Sequence, residues 1–216
     1  MDSGRFIAEL SELSELFDDF PRSDRPSGRR FDDIVVEVPN LTTESTLALL
    51  NPAASLLATG ESYLEVGSYM GASLIGAMRG NEGRDFVAID RFDWAGREQF
   101  DATLERFGST AATIIEGDAF EVLESELLER RQVGVLFWDA DHSYAGQLRV
   151  LRDVEQRLGQ GALLICDNAD RPDVRRAVDD WLLEQPRARP VLGLGGRTPG
   201  QPWWPDGIRV LRWGDP

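Results

Sequence analysis

The sequence predicts an α/β fold, a doubly wound and mostly parallel seven-stranded sheet with helices on both faces. Short apolar runs typical of buried strands alternate with helical patterns, and the connections between them are short. The first strong strand runs into a glycine turn that opens a helix, an arrangement typical of βαβ units. We therefore expect one such domain over residues 41–216, preceded by an N-terminal helix and charged loop over residues 1–40.

The N-terminal region carries an amphipathic pattern followed by a charged segment. Apolar residues recur on one face from Arg5 to Phe17, which predicts a short helix that serves packing or a dimer surface. The segment from Asp18 to Asp33 is rich in charge, Pro and Gly, and this composition is typical of a loop. Thr42 or Thr43 is then expected to cap a helix that leads up to the first strand.

A glycine turn after the first strand organises the predicted ligand site. The strand ends at Glu65, Gly67 and Gly71 stand four residues apart, and apolar periodicity from Ala72 to Met78 predicts a helix. Because the turn lies at the carboxyl end of its strand, it faces the crevice in which open α/β sheets bind ligands. The polar side chains expected there are Glu65, Ser68, Tyr69 and Ser73.

The spacing of these glycines limits the ligand. The turn carries neither the G-x-G-x-x-G dinucleotide pattern nor the G-x-x-x-x-G-K-[ST] phosphate loop, so no pyrophosphate cradle is expected. It suits a nucleoside with a short charged tail, such as S-adenosylmethionine, whose amino-acid end can hydrogen-bond the turn. A purely structural turn between strand and helix is the alternative.

Six further strands and two further helices can be assigned after this turn. The strands are predicted at Phe86–Ile89, Ala112–Glu116, Val133–Trp138, Ala162–Cys166, Arg189–Leu194 and Ile208–Trp213. The helices are predicted at Phe120–Leu128 and Pro172–Leu183. No internal repeat and no second domain is evident in the pattern.

Acidic residues follow the ends of successive strands, and parallel strands bring those ends to one edge of the sheet. They are Asp90, Asp118, Asp139, Asp141 and Asp167. Asp90 comes about two dozen residues after the first strand, where a ribose hydroxyl pair is usually held. Asp118 either contacts adenine or caps the next helix, and any one of these acids can serve a cap or an Asx turn.

The polar residues after the fourth and fifth predicted strands predict a cation site. Asp139, Asp167 and Asn168 offer hard oxygen ligands, and the only histidine of the chain, His142, stands beside them. Oxygen ligands without thiolates or an imidazole pair favour magnesium, calcium or manganese over zinc. We expect these three side chains to hold a divalent cation with positions open for substrate oxygens.

Composition excludes several classes of function. A net charge of −15 argues against nucleic-acid phosphates and anionic membranes as partners. All 23 basic residues are arginine, so a Schiff-base lysine, a P-loop lysine and a lysine base are excluded. No apolar run has the length of a membrane span and no signal pattern opens the chain, so a cytoplasmic protein is expected. The single cysteine, Cys166, lies in a predicted buried strand and is expected to be a core residue.

Taken in order, these motifs resemble those of a known family. The segment Leu64–Ser73, the run Asp139–Tyr144, the pair Asp167-Asn168 and the later Asp206-Gly207-Ile208 look like the class I S-adenosylmethionine-dependent O-methyltransferases. The pattern is closest to the metal-dependent catechol and caffeoyl-coenzyme A type, and it also resembles bacterial natural-product and sugar O-methyltransferases. The resemblance covers about residues 41–212. It implies a Rossmann-like fold and transfer of a methyl group to a hydroxyl of a small molecule, such as a phenol, catechol, sugar or natural product.

The resemblance also implies roles for individual residues. The residues implied for the cofactor are Glu65, Gly67, Ser68, Tyr69, Gly71, Ser73, Asp90, Asp118, Ala119 and Asp139. Those implied as magnesium ligands are Asp139, Asp167 and Asn168. The chain departs from the family at His142, where the plant-type enzymes carry a lysine.

His142 is the predicted catalytic base. Methyl transfer from a sulfonium is an in-line displacement, so an oxygen nucleophile must be held close to the methyl carbon and aligned with the breaking bond. A dication lowers the pKa of a coordinated hydroxyl, and histidine, which titrates near neutral pH, can accept its proton. The alternative is a structural histidine that orients Asp139 or Asp141.

Asp141, Trp203 and Trp204 are the predicted acceptor contacts. The two tryptophans lie between prolines, and they are expected to form either an aromatic lid over the acceptor or an interface patch. A homodimer through the helix from Arg5 to Phe17 or through the tryptophan loop is therefore a further expectation. Two alternative functions are a methyltransferase that needs no metal and a nucleoside-binding module without catalysis.

Overall fold

The computed structural model describes residues 5, 6, 8, 29–195, 204 and 206–214. Most of the predicted helix from Arg5 to Phe17 and of the charged loop after it therefore lies outside the described residues. Of the described N-terminal residues, Phe6 and Phe31 are buried in the same core as the rest of the fold. The predicted domain boundary at residue 41 stays a prediction.

Seven α-helices and seven strands are formed by the described residues. The helices are α1 (Asp32–Glu37), α2 (Glu44–Ser55), α3 (Ala72–Met78), α4 (Arg97–Arg106), α5 (Ala119–Glu124), α6 (Tyr144–Val154) and α7 (Pro172–Glu184). The strands are β1 (Glu61–Val66), β2 (Asp85–Asp90), β3 (Thr113–Glu116), β4 (Gln132–Trp138), β5 (Leu158–Asp167), β6 (Ala188–Leu194) and β7 (Ile208–Trp213).

The strands form one mixed sheet in the order β3-β2-β1-β4-β5-β7-β6. Strands β1 to β5 pair in parallel, and β7 runs antiparallel to both β5 and β6. The order reverses direction at β1, so the carboxyl ends of β1 and β4 flank the point at which such sheets bind ligands. This topology confirms the predicted α/β fold with a mostly parallel seven-stranded sheet.

Each face of the sheet is covered by its own hydrophobic core. Alternation along β1 sends Tyr63 into a core with α2, α3 and α4 and Leu64 into a core with α5, α6 and α7. Cys166 is buried in the second core, and burial raises the pKa of its thiol to about 12. The prediction of an inert core cysteine is thereby confirmed.

Local chemistry explains where two of the predicted helices begin and end. Thr43 caps α2, because its hydroxyl accepts a hydrogen bond from the backbone N–H of Thr46. The predicted single helix Phe120–Leu128 is wrong in its extent, since α5 ends at Glu124 and a separate 3-10 turn covers Glu126–Leu128. Ser125 causes the break by accepting the N–H of Leu127 and so starting the new turn.

Candidate active site

The loop from Gly67 to Gly71 is held in one conformation by its own backbone and by β2. Gly67 and Gly71 have positive φ angles of 91° and 87°, and Tyr69 between them has a φ of 50°. The N–H of Gly71 donates to the carbonyl of Ser68 over 2.7 Å, which closes the turn. Such dihedral angles are accessible to glycine at little cost and are uncommon for tyrosine, so the surroundings must hold Tyr69 in place.

Asp90 provides that restraint at the end of β2. Its Oδ2 accepts the N–H of Tyr69 over 2.9 Å, and its Oδ1 accepts the N–H of Phe92 over 2.7 Å. One carboxylate thus fixes two loops on the same edge of the sheet. Each oxygen retains a second lone pair, so the predicted contact with ribose hydroxyls remains chemically possible and stays a prediction.

Gly67 lies directly against the loop that follows β4. Its N–H donates to the carbonyl of Ile89, and the N–H of Asp139 donates to the carbonyl of Val66. A Cβ at Gly67 would come within 2.0 Å of the carbonyl oxygen of Asp139, so only glycine fits. At Gly71 the close neighbours are Phe100 and Leu104 of α4, which would lie 3.2 and 3.3 Å from a Cβ.

Glu65 is a fully buried carboxylate at the base of this loop. Tyr63 donates a hydrogen bond to its Oε2 over 3.1 Å, and Ser73 donates to its Oε1 over 2.9 Å. Burial raises the pKa of Glu65 to about 7, although these hydrogen bonds oppose the rise. A buried acid that is half ionised near neutral pH is well suited to pair with a ligand ammonium.

Ser68 carries a buried hydroxyl beside the Glu65 carboxylate. The residue is 3% exposed, its Oγ has no hydrogen-bond partner of normal geometry among the described residues, and it nevertheless lowers the pKa of Glu65. Buried hydroxyls are nearly always well hydrogen-bonded, so this one is able to serve a ligand at the turn. This hydroxyl, together with Glu65, fits a polar ligand held at the turn.

Asp118 acts as the N-cap of α5. Its Oδ1 accepts the backbone N–H groups of Phe120 and Glu121, and Ala119 is the first residue of the helix. The cap expected from the sequence is therefore present. The second oxygen, Oδ2, lies 4.0 Å from the Arg91 guanidinium and faces no other described partner, so a contact with adenine stays a prediction.

Asp139 and His142 come together in the loop between β4 and α6. The Oδ1 of Asp139 lies 3.4 Å from the Nε2 of His142. The Nδ1 of His142 is buried and has no hydrogen-bond partner among the described residues. The ring is therefore held close to Asp139 on one side and has an unused polar atom on the other.

Asp167 lies on the neighbouring strand at the same edge. Trp138 pairs with Cys166, so Asp139 and Asp167, the next residue in each case, lie level with each other at the ends of adjacent strands. Burial and the nearby charge of Asp139 raise the pKa of Asp167, while hydrogen bonds from Asn168 oppose this rise. Two carboxylates and a carboxamide thus share the edge next to the Gly67 loop, as the sequence predicted.

Within the described part of the chain, no group of three or more His, Cys, Asp or Glu side chains is arranged to hold a metal ion. The predicted set of Asp139, Asp167 and Asn168 contains only two such residues. It is also a set of hard oxygen atoms, which fits magnesium or calcium better than zinc. The cation site stays a prediction.

Residues 64–169 match a family model described as a methyltransferase domain. The matched segment contains every predicted site residue except Trp203 and Trp204. This segment, almost half of the chain, is thus similar to a methyltransferase domain. The match confirms the resemblance that the motifs indicated, and the sheet topology agrees with it. No curated protein sequence matches the chain.

Three solved structures share the fold of this chain over almost their whole length. The O-methyltransferase from Bacillus cereus in complex with SAH is 16% identical with a TM-score of 0.66, and the match covers 98% of this chain and 99% of that one. The O-methyltransferase TomG from Streptomyces achromogenes in complex with SAM is 18% identical with a TM-score of 0.66 and full coverage, 100%, of both chains. The SAH-bound Podospora anserina methyltransferase PaMTH1 is 17% identical with a TM-score of 0.64 and 96% coverage of both.

Asp141 and Trp204, two of the three predicted acceptor contacts, lie among the described residues. Asp141 accepts the N–H of Ser143 over 2.9 Å, and its carboxylate packs where a Cβ of Gly146 would lie. The prediction of an aromatic lid or interface patch is wrong for Trp204, which is 1% exposed and belongs to the first core. Its indole is buried in the same hydrophobic core as Ile208, so it is a packing residue. Trp203 lies outside the described residues.

Two residues were not assigned a role from the sequence. Tyr63 donates to Glu65, and the signal was available, because residues two apart in a strand share a face. Asp206, which follows the tryptophan pair, raises the pKa of Asp167 by its charge and so lies near it. No local pattern could reveal that approach, since it depends on β7 pairing antiparallel with β5.

Proposed function

We propose that the protein is an S-adenosylmethionine-dependent O-methyltransferase that acts on a hydroxyl of a small molecule. The observation that carries the proposal is the meeting of two loops at one edge of the sheet. The Gly67 loop holds buried polar groups without full partners, and the loop after β4 brings His142 and Asp139 against it. A nucleoside site and an acid-base pair are thereby neighbours.

The residues around β1 suit the amino-acid end and ribose of S-adenosylmethionine. The cofactor, when bound, supplies an activated methyl group on its sulfonium. Glu65 offers a buried negative charge for the ammonium of the cofactor, and the Ser68 hydroxyl lies beside it without a hydrogen bond of normal geometry. Asp90 is fixed at the end of β2, where a ribose is usually held.

His142 is the proposed base for the acceptor hydroxyl. Its Nε2 lies 3.4 Å from Asp139, so the carboxylate stabilises the imidazolium that forms when the ring takes a proton. The side chain is 17% exposed, while its Nδ1 is shielded from water. The chain has no lysine and no second histidine that could take this role.

The proposed cation site consists of Asp139, Asp167 and Asn168. A divalent cation, when bound, supplies Lewis acidity that lowers the pKa of a coordinated hydroxyl. The support is electrostatic, because Asp139 raises the pKa of the buried Asp167 and a cation would relieve that repulsion. The residues that touch the metal would also align the acceptor, which is the main requirement of methyl transfer.

The names of similar structures support the class of reaction. The Bacillus cereus protein is an O-methyltransferase solved with SAH, and TomG is an O-methyltransferase involved in tomaymycin synthesis and solved with SAM. We propose by analogy an acceptor among phenols, catechols, sugars and natural products.

No helix among the described residues is long and apolar enough to cross a membrane. Homodimer formation and a cytoplasmic location stay predictions.

A metal-independent methyltransferase is the second candidate. It is favoured by the 3.4 Å approach of the His142 Nε2 to the Asp139 Oδ1, which forms an acid-base pair without a metal. In that case His142 and Asp139 would act as a pair and Asp167 would serve the fold.

The proposal is tested by combining binding and turnover measurements. The protein is titrated with S-adenosylmethionine by calorimetry, then incubated with a panel of hydroxylated compounds, with added magnesium or with a chelator. We expect saturable cofactor binding and a methylated product that mass spectrometry identifies, with turnover restored by magnesium. Turnover that survives the chelator would favour the metal-independent candidate. Cofactor binding without methylation of any compound would indicate a nucleoside-binding module.

A further inference from the structure

A second polar cavity lies at the edge of the sheet opposite the candidate active site. It has a volume of about 230 Å³ and is lined by the segments that lead into β4 and β5. Val133 pairs with Leu158 there, so the amino ends of these two strands form its floor. Three arginines line this cavity, Arg130, Arg131 and Arg157.

One of the three guanidinium groups is committed to the fold. Arg131 forms an ion pair with Asp85 at the start of β2, and it also donates to the hydroxyl of Thr113 over 3.2 Å. Its charge is balanced by a carboxylate and its position is fixed. Arg131 therefore shapes the cavity without supplying free positive charge.

The other two arginines have no counterion in the described part of the chain. Arg130 is exposed, and neither Arg130 nor Arg157 forms an ion pair or hydrogen bond there. The Nε of Arg157 is buried and has no acceptor among the described residues. A buried guanidinium donor is costly to leave unpaired, so a ligand that supplies the acceptor stabilises the site.

The acidic groups around the cavity do not cancel this charge. Glu129 is the one carboxylate in the lining, and it is exposed. Asp85 is engaged by Arg131, and the buried Glu61 accepts the N–H of Ala58 at its Oε2. The lining thus holds two guanidinium groups without a counterion and one exposed carboxylate, in a protein whose net charge is −15.

We propose that this cavity binds a tetrahedral oxyanion, either inorganic phosphate or the phosphate group of a small metabolite. Guanidinium groups match such anions because their planar donors form paired, charge-assisted hydrogen bonds with phosphate oxygens. The site is separate from the proposed cofactor cleft, which lies at the carboxyl ends of the same strands. The bound anion holds the amino ends of β4 and β5 together, and Asp139 and Asp167 lie at the carboxyl ends of these strands.

Anion binding can be followed by NMR through the resonance of the Arg157 Nε–H group. The protein, labelled with nitrogen-15, is titrated at constant ionic strength with inorganic phosphate, with glycerol phosphate and with chloride. The Nε–Hε resonance of Arg157 is identified by its loss in the Arg157→Gln variant. We expect phosphate to shift that resonance in a saturable manner, with a dissociation constant of about 1 mM or tighter, and chloride to leave it unchanged.

Three variants distinguish specific phosphate binding in the cavity from nonspecific attraction of the anion to positive charge. Arg130→Gln is expected to weaken phosphate binding about tenfold, and Glu129→Gln to strengthen it, because each changes one charge of the lining. Arg189→Gln removes the same charge from a half-buried arginine of β6 and is expected to change nothing. Stronger binding of glycerol phosphate than of inorganic phosphate would identify a metabolite as the ligand. Absence of saturation, or equal weakening by Arg130→Gln and Arg189→Gln, would overturn the proposal, and neither result bears on methyl transfer.

Discussion

Gly67 lies against the backbone carbonyl of Asp139, so closely that a Cβ would approach its oxygen to 2.0 Å. This contact joins the turn after β1 to the loop that carries His142. The two loops therefore cannot move independently, and the proposed cofactor and acceptor sites share one wall. The position of Asp139 depends on the absence of a side chain at residue 67.

Gly67→Ala is expected to destabilise the protein and to abolish cofactor binding. A positive φ costs an alanine about 1 kcal/mol or somewhat more, and the clash with Asp139 adds about 2–3 kcal/mol. The matched control is Gly83→Ala, because Gly83 has a φ of 89° and no atom within 4 Å of the added Cβ. Urea unfolding and calorimetry with S-adenosylmethionine provide the comparison. Equal losses in the two variants would show that the contact with Asp139 is unimportant.

Glu65→Gln is expected to change how stability depends on pH. The folded-state pKa of Glu65, about 7, lies above the ordinary value of 4.5. The carboxyl group therefore stays protonated to a higher pH in the native state than in the unfolded state. The native protein should therefore lose stability, by up to about 3 kcal/mol, as the pH rises from the ordinary value through about 7. The variant should lack this decline. Unfolding by urea at several pH values tests it, with exposed Glu116→Gln as the control that keeps the native slope.

His142→Ala is expected to lower turnover about a hundredfold or more while cofactor affinity stays the same, because the imidazole is the proposed base. The neighbouring Ser143→Ala is the contrasting variant. The Ser143 hydroxyl accepts the N–H of Gly146 at the start of α6, so its loss should cost about 1 kcal/mol of stability and leave turnover per folded molecule nearly unchanged. Single-turnover rates and thermal unfolding separate the two effects. A full rate in His142→Ala would assign the histidine a structural role.

Asp139→Asn is expected to remove the magnesium dependence of turnover. The change keeps the size of the side chain and deletes the charge that we propose for the cation, while Glu65 and Ser68 continue to hold the cofactor. Asp153→Asn serves as the control, since Asp153 pairs with Arg149 on the surface of α6. Turnover is measured across a magnesium titration in all three proteins. A variant with native activity and native magnesium response would rule out the proposed ligand set.

Trp204→Ala is expected to cost about 3–5 kcal/mol of stability, because the indole is buried in the first core. Trp94→Ala is the control, since Trp94 is 88% exposed and its truncation should change stability by less than about 0.5 kcal/mol. Chemical denaturation distinguishes the two variants. If Trp204 instead acted as a lid, its loss would raise KM for the acceptor and leave stability unaltered.

The fold followed from the sequence because its signals are local. Apolar runs, Gly67 and Gly71, and the cap at Thr43 each specify a strand, a turn or a helix start within a few residues. Short parallel units then admit few topologies. Acids follow the strands in the sequence, and the cap that was one of two roles expected for Asp118 is present.

Tertiary structure decided which of these polar residues act together. Asp139 meets Asp167 because β4 and β5 pair in step, and Asp206 reaches Asp167 because β7 runs antiparallel to β5. The neighbouring prolines led to the prediction of a surface role for Trp204, yet its indole is buried in the first core together with Ile208. Distances between residues far apart in sequence, and the burial that sets the pKa of Glu65, arise from packing of the whole sheet. The sequence alone determined which polar residues follow the strands. Only the folded chain decided which of them contact one another.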